Sequence, residues 1–248
     1  MVNTGFWVQP QQKIELLAIE SMPSKVFQLQ LEVVYEDECM AIIIKPAGIT
    51  VSGNYYKTIQ NALLFNLQPS QEKDALLCPR PVHRLDNPTS GLLLIAKTKQ
   101  AQIHLSRQFE NKTIQKRYRA IIVGTIPENG IFEEAIEEKS AKTSFQRLSK
   151  TPSLRNEYLS LVDLFPQTGR THQLRIHLSK AGFPIVGDKI YGVPGEVFKE
   201  KGLFLAAVEI SFRHPISQEL MTIKMDMPAK FTSFLNRELR RWKKYNEI

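Results

Sequence analysis

The chain has 248 residues, of which 42% are hydrophobic and 23% charged, and this composition is typical of a globular protein with one substantial core. The net charge of +8 favours a polyanionic partner, because Lys and Arg side chains that bind phosphates release the counterions of the polyanion. Cys39 and Cys78 form no CxxC pair, which argues against a disulfide framework or a zinc knuckle. The short apolar runs and the absence of a signal-peptide pattern predict a cytoplasmic protein without a membrane span.

The first third of the chain contains two predicted strands. We expect residues 1–24 to form a polar extension, too short for a complete S4 RNA-binding domain, and residues 25–248 to form one domain. Val26–Tyr35 alternates apolar and polar residues, and Met40–Ile44 is continuously apolar, so both are predicted strands. Lys45 ends the second strand. It is either a surface lysine or part of a cleft wall, and both interpretations stay open.

Two helices are predicted on either side of a loop. Thr58–Leu67 has apolar residues at helical spacing, and a second apolar stripe follows Thr98, which is a suitable N-cap residue. Pro69–Pro81 is rich in polar residues and proline and is predicted to be a loop.

The stretch Pro81–Lys97 combines charged residues, a turn and a buried strand. Asn87–Gly91 consists mainly of turn-forming residues, and Leu92–Ala96 is an apolar run of strand length. Asp86 therefore lies on a turn that leads directly into the core, two residues after Arg84. A catalytic carboxylate needs this kind of rigid anchorage.

The middle of the chain is basic. Lys116 and Arg117 precede a predicted strand, Tyr118–Val123. Ile131–Lys142 is acidic and is either a strand or an exposed loop, whereas Tyr158–Phe165 is a predicted strand.

A predicted helix follows Gly169, with Thr171 as its N-cap and Gly182 near its end. Arg170, His172 and Arg175 surround its first turn. His172 and His177 are five positions apart and no HExxH pattern occurs, so we expect no metal site. The chain ends with the predicted strand pair Leu203–Phe212 and Leu220–Met227, and with an amphipathic helix.

Five segments, in order, resemble the motifs of the RluA-type pseudouridine synthases. The longest is His83-Arg84-Leu85-Asp86, followed after two residues by Thr-Ser-Gly-Leu-Leu-Leu. The other four are Tyr35-Glu36-Asp37 with Lys45-Pro46-Ala47-Gly48, Lys116-Arg117-Tyr118-Arg119-Ala120, Gly169-Arg170-Thr171-His172-Gln173-Leu174-Arg175 with Gly187-Asp188, and Leu205-Ala206-Ala207 with Phe212-Arg213-His214-Pro215. The resemblance implies an α+β fold with a mixed, mostly antiparallel central sheet, flanking helices and a central cleft.

The resemblance also implies a reaction, the isomerisation of uridine to pseudouridine in ribosomal or transfer RNA, without a cofactor or metal. Asp86 is then the catalytic carboxylate, Tyr118 stacks on the uracil, and Arg175 pairs with Asp86. Arg84 fills the space of the flipped base, and RNA contacts are expected from the following residues: Lys116, Arg117, Arg170 and His172. We expect a monomer.

Other functions fit less well. Ser90, His83 and Asp86 could form a hydrolase triad, but no GxSxG elbow is present, and no Gly-rich loop or Asp-Phe-Gly supports a kinase. A glycosidase needs a second carboxylate with motif support. A catalytically inactive RNA-binding or ribosome-assembly protein on the same fold is the remaining alternative. It should have lost Asp86, Tyr118 or Arg175, and this chain has all three.

Overall fold

A computed structural model of the protein describes residues 25–192 and 202–246. The predicted extension at residues 1–24 lies outside the described residues. Within them the strands are β1 Glu32–Glu36, β2 Met40–Lys45, β3 Ala75–Pro81, β4 Ser90–Thr98, β5 Gln115–Val123, β6 Asn129–Phe132, β7 Thr143–Ser153, β8 Glu157–Pro166, β9 Leu205–Arg213 and β10 Leu220–Lys224. The helices are α1 Ile59–Asn66, α2 Lys99–Glu110, α3 Gln173–Lys180 and α4 Ala229–Asn246.

All of these strands belong to one sheet, whose main path is β1-β2-β4-β9-β5-β8-β7-β6. β3 pairs with β4, and β10 pairs with β9. Only the β4–β9 pairing is parallel among the described strands, so the sheet is mixed and mostly antiparallel, as predicted.

The parallel contact between β4 and β9 joins the two halves of the sheet, and Gly91 makes it possible. A Cβ atom at this position would lie 2.2 Å from the carbonyl oxygen of Ala207, and the backbone has a φ of +123°. Only glycine meets both conditions without displacing the neighbouring strand. The turn that carries Asp86 therefore enters the sheet where its two halves meet.

Apolar side chains cover both faces of the central strands. Every residue of β4 from Gly91 to Thr98 is buried, which confirms the prediction from its unbroken apolar run. Separate apolar clusters pack on the two halves of the sheet, one around β5, β8 and β9 with α3 and α4, and two around β2 and β4. Among the described residues, none of the helices has the length and apolarity needed to cross a bilayer.

Most predicted elements are confirmed, with shifted ends. α1 and α2 begin after Thr58 and Thr98, and each threonine hydroxyl accepts a hydrogen bond from a backbone N–H in the first turn. The strand predicted from Val26 begins only at Glu32, although the apolar side chains before it pack on the core as the alternation indicates.

Two predictions of secondary structure are wrong. Pro69–Pro81 is not entirely a loop, because β3 occupies its last seven residues. Thr171 is not the N-cap of α3, because His172 occupies that position with a φ of +55° and no side-chain capping bond.

Candidate active site

An open cavity of about 460 Å³ lies between the turn before β4, the start of β5 and the start of α3. Seven of the eight residues predicted to form a site line this cavity. They are Arg84, Asp86, Lys116, Tyr118, Arg170, His172 and Arg175. These residues come from segments up to about 90 positions apart. The turn before β4 and the start of β5 are brought together because β4 and β5 both pair with β9 at Ala207.

The turn that carries Asp86 is held by backbone hydrogen bonds on both sides. The N–H of Thr89 donates to the carbonyl oxygen of Asp86 at 3.0 Å, and the N–H of Gly48 donates to that of Asn87 at 2.8 Å. The side chain of Asp86 remains 26% exposed to the cavity. Its position is therefore fixed by the backbone, while its carboxylate stays accessible to a substrate.

Lys45 lies beneath this turn and is fully buried, so neither interpretation from the sequence is correct. Its Nζ donates to the carbonyl oxygens of Pro46, Asn87 and Thr89, at 2.9, 3.1 and 2.7 Å. Burial lowers the pKa of Lys45 to about 8, and the negative charge of Asp86 opposes this shift. Lys45 ties the end of β2 to the turn that follows Asp86.

Arg175 joins two carboxylates. Its Nε and one terminal nitrogen donate to Asp188 at 2.7 and 2.8 Å, and its other terminal nitrogen lies 3.5 Å from Asp86. The predicted pairing with Asp86 is present, but the shorter contacts go to Asp188. Burial alone would raise the pKa of Asp188, but hydrogen bonds from Arg175, Tyr191 and Ile190 outweigh it and lower that pKa.

Tyr118 lies on β5 and contributes its ring to the cavity wall. Burial, and to a smaller extent the charge of Asp86, raise the pKa of Tyr118 well above its ordinary value, so the phenol keeps its proton at neutral pH. A neutral phenol provides an apolar face for stacking and a hydroxyl that can exchange a proton.

Two histidines, His83 and His172, line the cavity. The Nδ1 of His172 lies 3.0 Å from the Tyr191 hydroxyl, and its Nε2 lies 4.0 Å from Asp86. His83 stacks on Phe109, and its Nε2 accepts the Leu94 N–H at 3.1 Å. Burial, with the nearby Lys116 charge, lowers the pKa of His83 to about 3, so His83 is a neutral part of the wall.

Besides Arg175, three cationic side chains line the cavity among the described residues, in different environments. Arg84 is exposed, and Arg170 is half-buried with its Nε donating to the carbonyl oxygen of Ser140 at 3.0 Å. Lys116 is half-buried, and it has no carboxylate partner within the described part of the chain. Burial lowers the pKa of Lys116.

The structure does not bring Arg117 into the cavity. Side chains alternate along a strand, so Lys116 and Tyr118 face the cavity while Arg117 and Arg119 face away. Arg117 donates to Asp163 at 3.1 Å and to Glu209 at 2.6 Å. It belongs to an ionic cluster on the other side of β5.

A separate group formed by Asp37, Cys39 and His214 has the composition of a metal site. The Nδ1 of His214 accepts the Ser217 N–H at 3.1 Å, so its Nε2 carries the proton and donates to Asp37 at 2.8 Å. Asp37 also accepts hydrogen bonds from Tyr35 and from two backbone N–H groups. These contacts satisfy the group as a hydrogen-bond network that links the β1–β2 turn to the end of β9.

The residue of the site that had no individual role in the sequence prediction is Asp188, which holds Arg175. Asp188 was visible only as part of a matching Gly-Asp pair. Its contact with Arg175 depends on the fold, because the loop after α3 returns to the start of that helix.

Comparisons with known proteins agree with this geometry. Residues 40–180 match the RNA pseudouridylate synthase family. Ribosomal large subunit pseudouridine synthase D of Neisseria meningitidis is 34% identical over 225 residues, which cover 81% of this chain and 59% of that protein. Ribosomal large subunit pseudouridine synthase C of Vibrio parahaemolyticus is 33% identical over 255 residues, which cover 92% of this chain and 76% of that protein. The match thus spans less than two thirds of the length of the Neisseria relative.

Two solved structures show the same fold. Human RNA Pseudouridylate Synthase Domain Containing 1 has a TM-score of 0.67 and 26% identity, covering 80% of this chain and 84% of that one. Human RNA Pseudouridylate Synthase Domain Containing 4 has a TM-score of 0.66 and 23% identity, covering 84% and 93%. The sheet is therefore the predicted pseudouridine-synthase fold. Together with the match over more than half of its residues, this shows that the chain belongs to the RNA pseudouridylate synthase family.

Proposed function

We propose that the protein is an isomerase that converts specific uridines in structured RNA to pseudouridine. The observation that carries the proposal is the accessible carboxylate of Asp86, which a rigid turn holds in a cavity beside Tyr118 and Arg175. Family membership and the names of the relatives, two of which are ribosomal large subunit pseudouridine synthases, support ribosomal RNA as a substrate class. Transfer RNA remains in the proposal because the local motifs do not read the target sequence.

The reaction is an isomerisation that neither oxidises nor reduces the nucleotide. The bond between N1 of uracil and C1′ of ribose breaks, the base turns, and C5 bonds to C1′, while C5 loses a proton and N1 gains one. We assign to Asp86 the step at the ribose or the base, and to Tyr118 stacking on the uracil and assistance in the proton transfer. Arg175 orients the carboxylate, and Asp188 orients Arg175.

The substrate has to present its uridine outside the base stack. Flipping a nucleotide costs a few kcal/mol, and contacts to the vacated stack and to the phosphates offset this cost. The exposed guanidinium of Arg84 beside Asp86 is suited to the vacated stack. Lys116, Arg170 and His172 are suited to phosphates, whereas the ionic contacts of Arg117 remove it from the proposed set.

We also propose the domain organisation, location and oligomeric state of the protein. Residues 25–248 form one catalytic domain, and residues 1–24 form an extension that precedes it. The protein acts on RNA in the cytoplasm as a monomer, and the balanced isomerisation requires neither a metal nor another cofactor.

The test uses unmodified transcripts of the ribosomal and transfer RNAs of the source organism. After incubation with the purified protein, pseudouridine is located by chemical labelling and primer extension. We expect new pseudouridine at one or a few positions, and none with the Asp86→Asn variant. Pseudouridine in neither RNA class, with tight binding retained, would contradict the proposal and favour a non-catalytic RNA-binding protein.

A further inference from the structure

The active-site cavity continues into a groove that the reaction itself does not require. A second cavity of about 300 Å³ shares Phe109, Lys116 and Arg170 with the first. A third, of about 600 Å³, shares Lys112, Ile114 and Lys116 with the second. Lys116 and Thr168 line all three. We call the second and third cavities the side groove. Pockets of about 300–1,000 Å³ are the usual size for bound ligands.

The side groove is positively charged. Its linings contain Lys112, Lys116, Lys142 and Arg170, against a single carboxylate, that of Glu110. The third cavity has no carboxylate among the described residues that line it. A concave surface with this balance attracts an anion and rejects an acidic protein surface.

The ammonium of Lys116 sits where the groove meets the active site. It is half-buried and has no carboxylate partner in the described ranges 25–192 and 202–246, so it favours an anionic ligand that would replace its lost hydration. Lys142 has a contact with Glu133 at 2.5 Å, but both side chains are exposed. Exposed ion pairs contribute little free energy, so Lys142 can exchange this partner for a phosphate at small cost.

Apolar side chains line the groove together with these cations. Phe109 and Ile114 line the second cavity, and Ile114 and Phe165 line the third. Single-stranded nucleic acids are bound by this combination, in which cations follow the backbone and aromatic or apolar faces pack against the bases. A rigid duplex would present its phosphates on a convex surface and would not enter cavities of this size.

We propose that the side groove binds the single-stranded RNA segment directly adjoining the target uridine, with Lys112, Lys116 and Lys142 at successive phosphates. This inference rests on the proposed function, because it places the target base in the active-site cavity. Binding of this flanking RNA segment would increase the affinity for the RNA. It would also determine on which side of the target uridine the RNA contacts the protein.

The test is binding of fluorescent oligouridylates, a dimer and a hexamer, to the wild-type protein and to the Lys112→Gln/Lys142→Gln variant. The wild type should bind the hexamer more tightly than the dimer. The variant should lose on the order of tenfold in hexamer affinity at low salt and little in dimer affinity. The slope of log affinity against log salt should fall by about 0.7 for each lost phosphate contact, or about 1.4 in total.

Lys73→Gln/Lys99→Gln is the matched control, with the same change in net charge. Both residues are exposed near the first turn of α2, whose 12 residues span about 18 Å and separate them from Lys112 beyond its last turn. This control should keep the hexamer affinity and the salt slope. An equal loss in both double variants, or an unchanged slope in the groove variant, would overturn the inference.

The two proposals fail separately. If the wild type binds the hexamer through the groove lysines but forms no pseudouridine in any transcript, the groove stands and the proposed activity fails. Suppose instead that wild type and groove variant modify transcripts equally well and show the same slope of log affinity against log salt for the hexamer. The proposed activity then stands, and RNA binding in the side groove is excluded.

Discussion

Two clusters of arginine and aspartate lie on opposite sides of β5, and they differ in how completely each carboxylate is satisfied. Asp163 accepts hydrogen bonds of 2.7 and 2.9 Å from Arg119 and 3.1 Å from Arg117, and its side chain is 3% exposed. Asp86 has one contact with Arg175, at 3.5 Å, and is 26% exposed. The first carboxylate is saturated by the protein, whereas the second retains lone pairs for a substrate.

The two carboxylates differ because the arginines of each cluster direct their hydrogen bonds differently. Two arginines converge on Asp163, so the cluster holds neighbouring strands together. Arg175 instead directs its two short hydrogen bonds at the buried Asp188 and extends its remaining nitrogen to Asp86. An anchored arginine can therefore orient a second carboxylate without saturating it. The same residue types give a structural cluster in one case and a candidate catalytic group in the other.

Substituting the buried carboxylate of each cluster should separate stability from catalysis. Asp188→Asn and Asp163→Asn each remove the buried carboxylate that accepts an arginine's shortest pair of hydrogen bonds, and each should lower the free energy of unfolding by up to about 3–5 kcal/mol. Only Asp188→Asn should also lower kcat, because Arg175 loses the anchor that aims it at Asp86. Urea denaturation and kcat per folded molecule measure the two effects. An unchanged kcat in Asp188→Asn would show that Arg175 needs no anchor.

Lys45 provides a third buried charge, held by carbonyl oxygens instead of a carboxylate. Its pKa of about 8 lies below the ordinary value of 10.5. Below pH 8 the amine is protonated in both folded and unfolded chains, and between pH 8 and 10.5 only the unfolded chain keeps the proton. This residue's contribution to the unfolding free energy should therefore rise with pH across that window, by roughly 3 kcal/mol.

The measurement is the difference in unfolding free energy between the wild type and Lys45→Met at pH 7, 8, 9 and 10. The difference cancels the opposite effect of Tyr35 and Cys39, whose pKa values are each raised to about 12, mainly by burial. A difference that stays constant with pH would contradict a buried ammonium at this position.

Substitution of Arg117 should have the smallest effect on the free energy of unfolding. In Arg117→Gln, Asp163 keeps both hydrogen bonds from Arg119, so the unfolding free energy should fall by only about 0.5–1.5 kcal/mol. RNA affinity should be unchanged, because the side chain faces away from the cavity. Arg84→Gln removes the same charge from the cavity rim and should raise the Kd for RNA several-fold. Equal Kd values for the two variants would contradict the division between the faces of β5.

Much of the fold was accessible from the sequence because apolar runs and caps are local signals. β2, β4 and α2 were predicted from such patterns, and their positions are confirmed. β3 was missed because it contains Pro79 and Pro81, which are tolerated in a strand that pairs only with β4. β7 was missed because its polar composition hides a strand held mainly by its long pairing with β8.

The site was predictable in its residues but not in its contacts. Motif order identified Asp86, Tyr118 and Arg175, and the structure places all three in one cavity. The alternation of β5, which sends Arg117 away from Lys116, required knowing which face of the strand is inward. The burial of Lys45 depends on carbonyl oxygens of Asn87 and Thr89, more than forty positions away, and no local pattern indicates such a contact.

The most direct test of the account is tritium release from RNA labelled at C5 of uridine, because the isomerisation must remove that hydrogen. The wild type and Asp163→Asn, per folded molecule, should release tritium at the same rate. Asp86→Asn should lose at least about 10²–10⁴-fold in rate while still binding the RNA. Release by Asp86→Asn at the rate of the wild type would contradict the central claim that the unsaturated carboxylate performs the reaction.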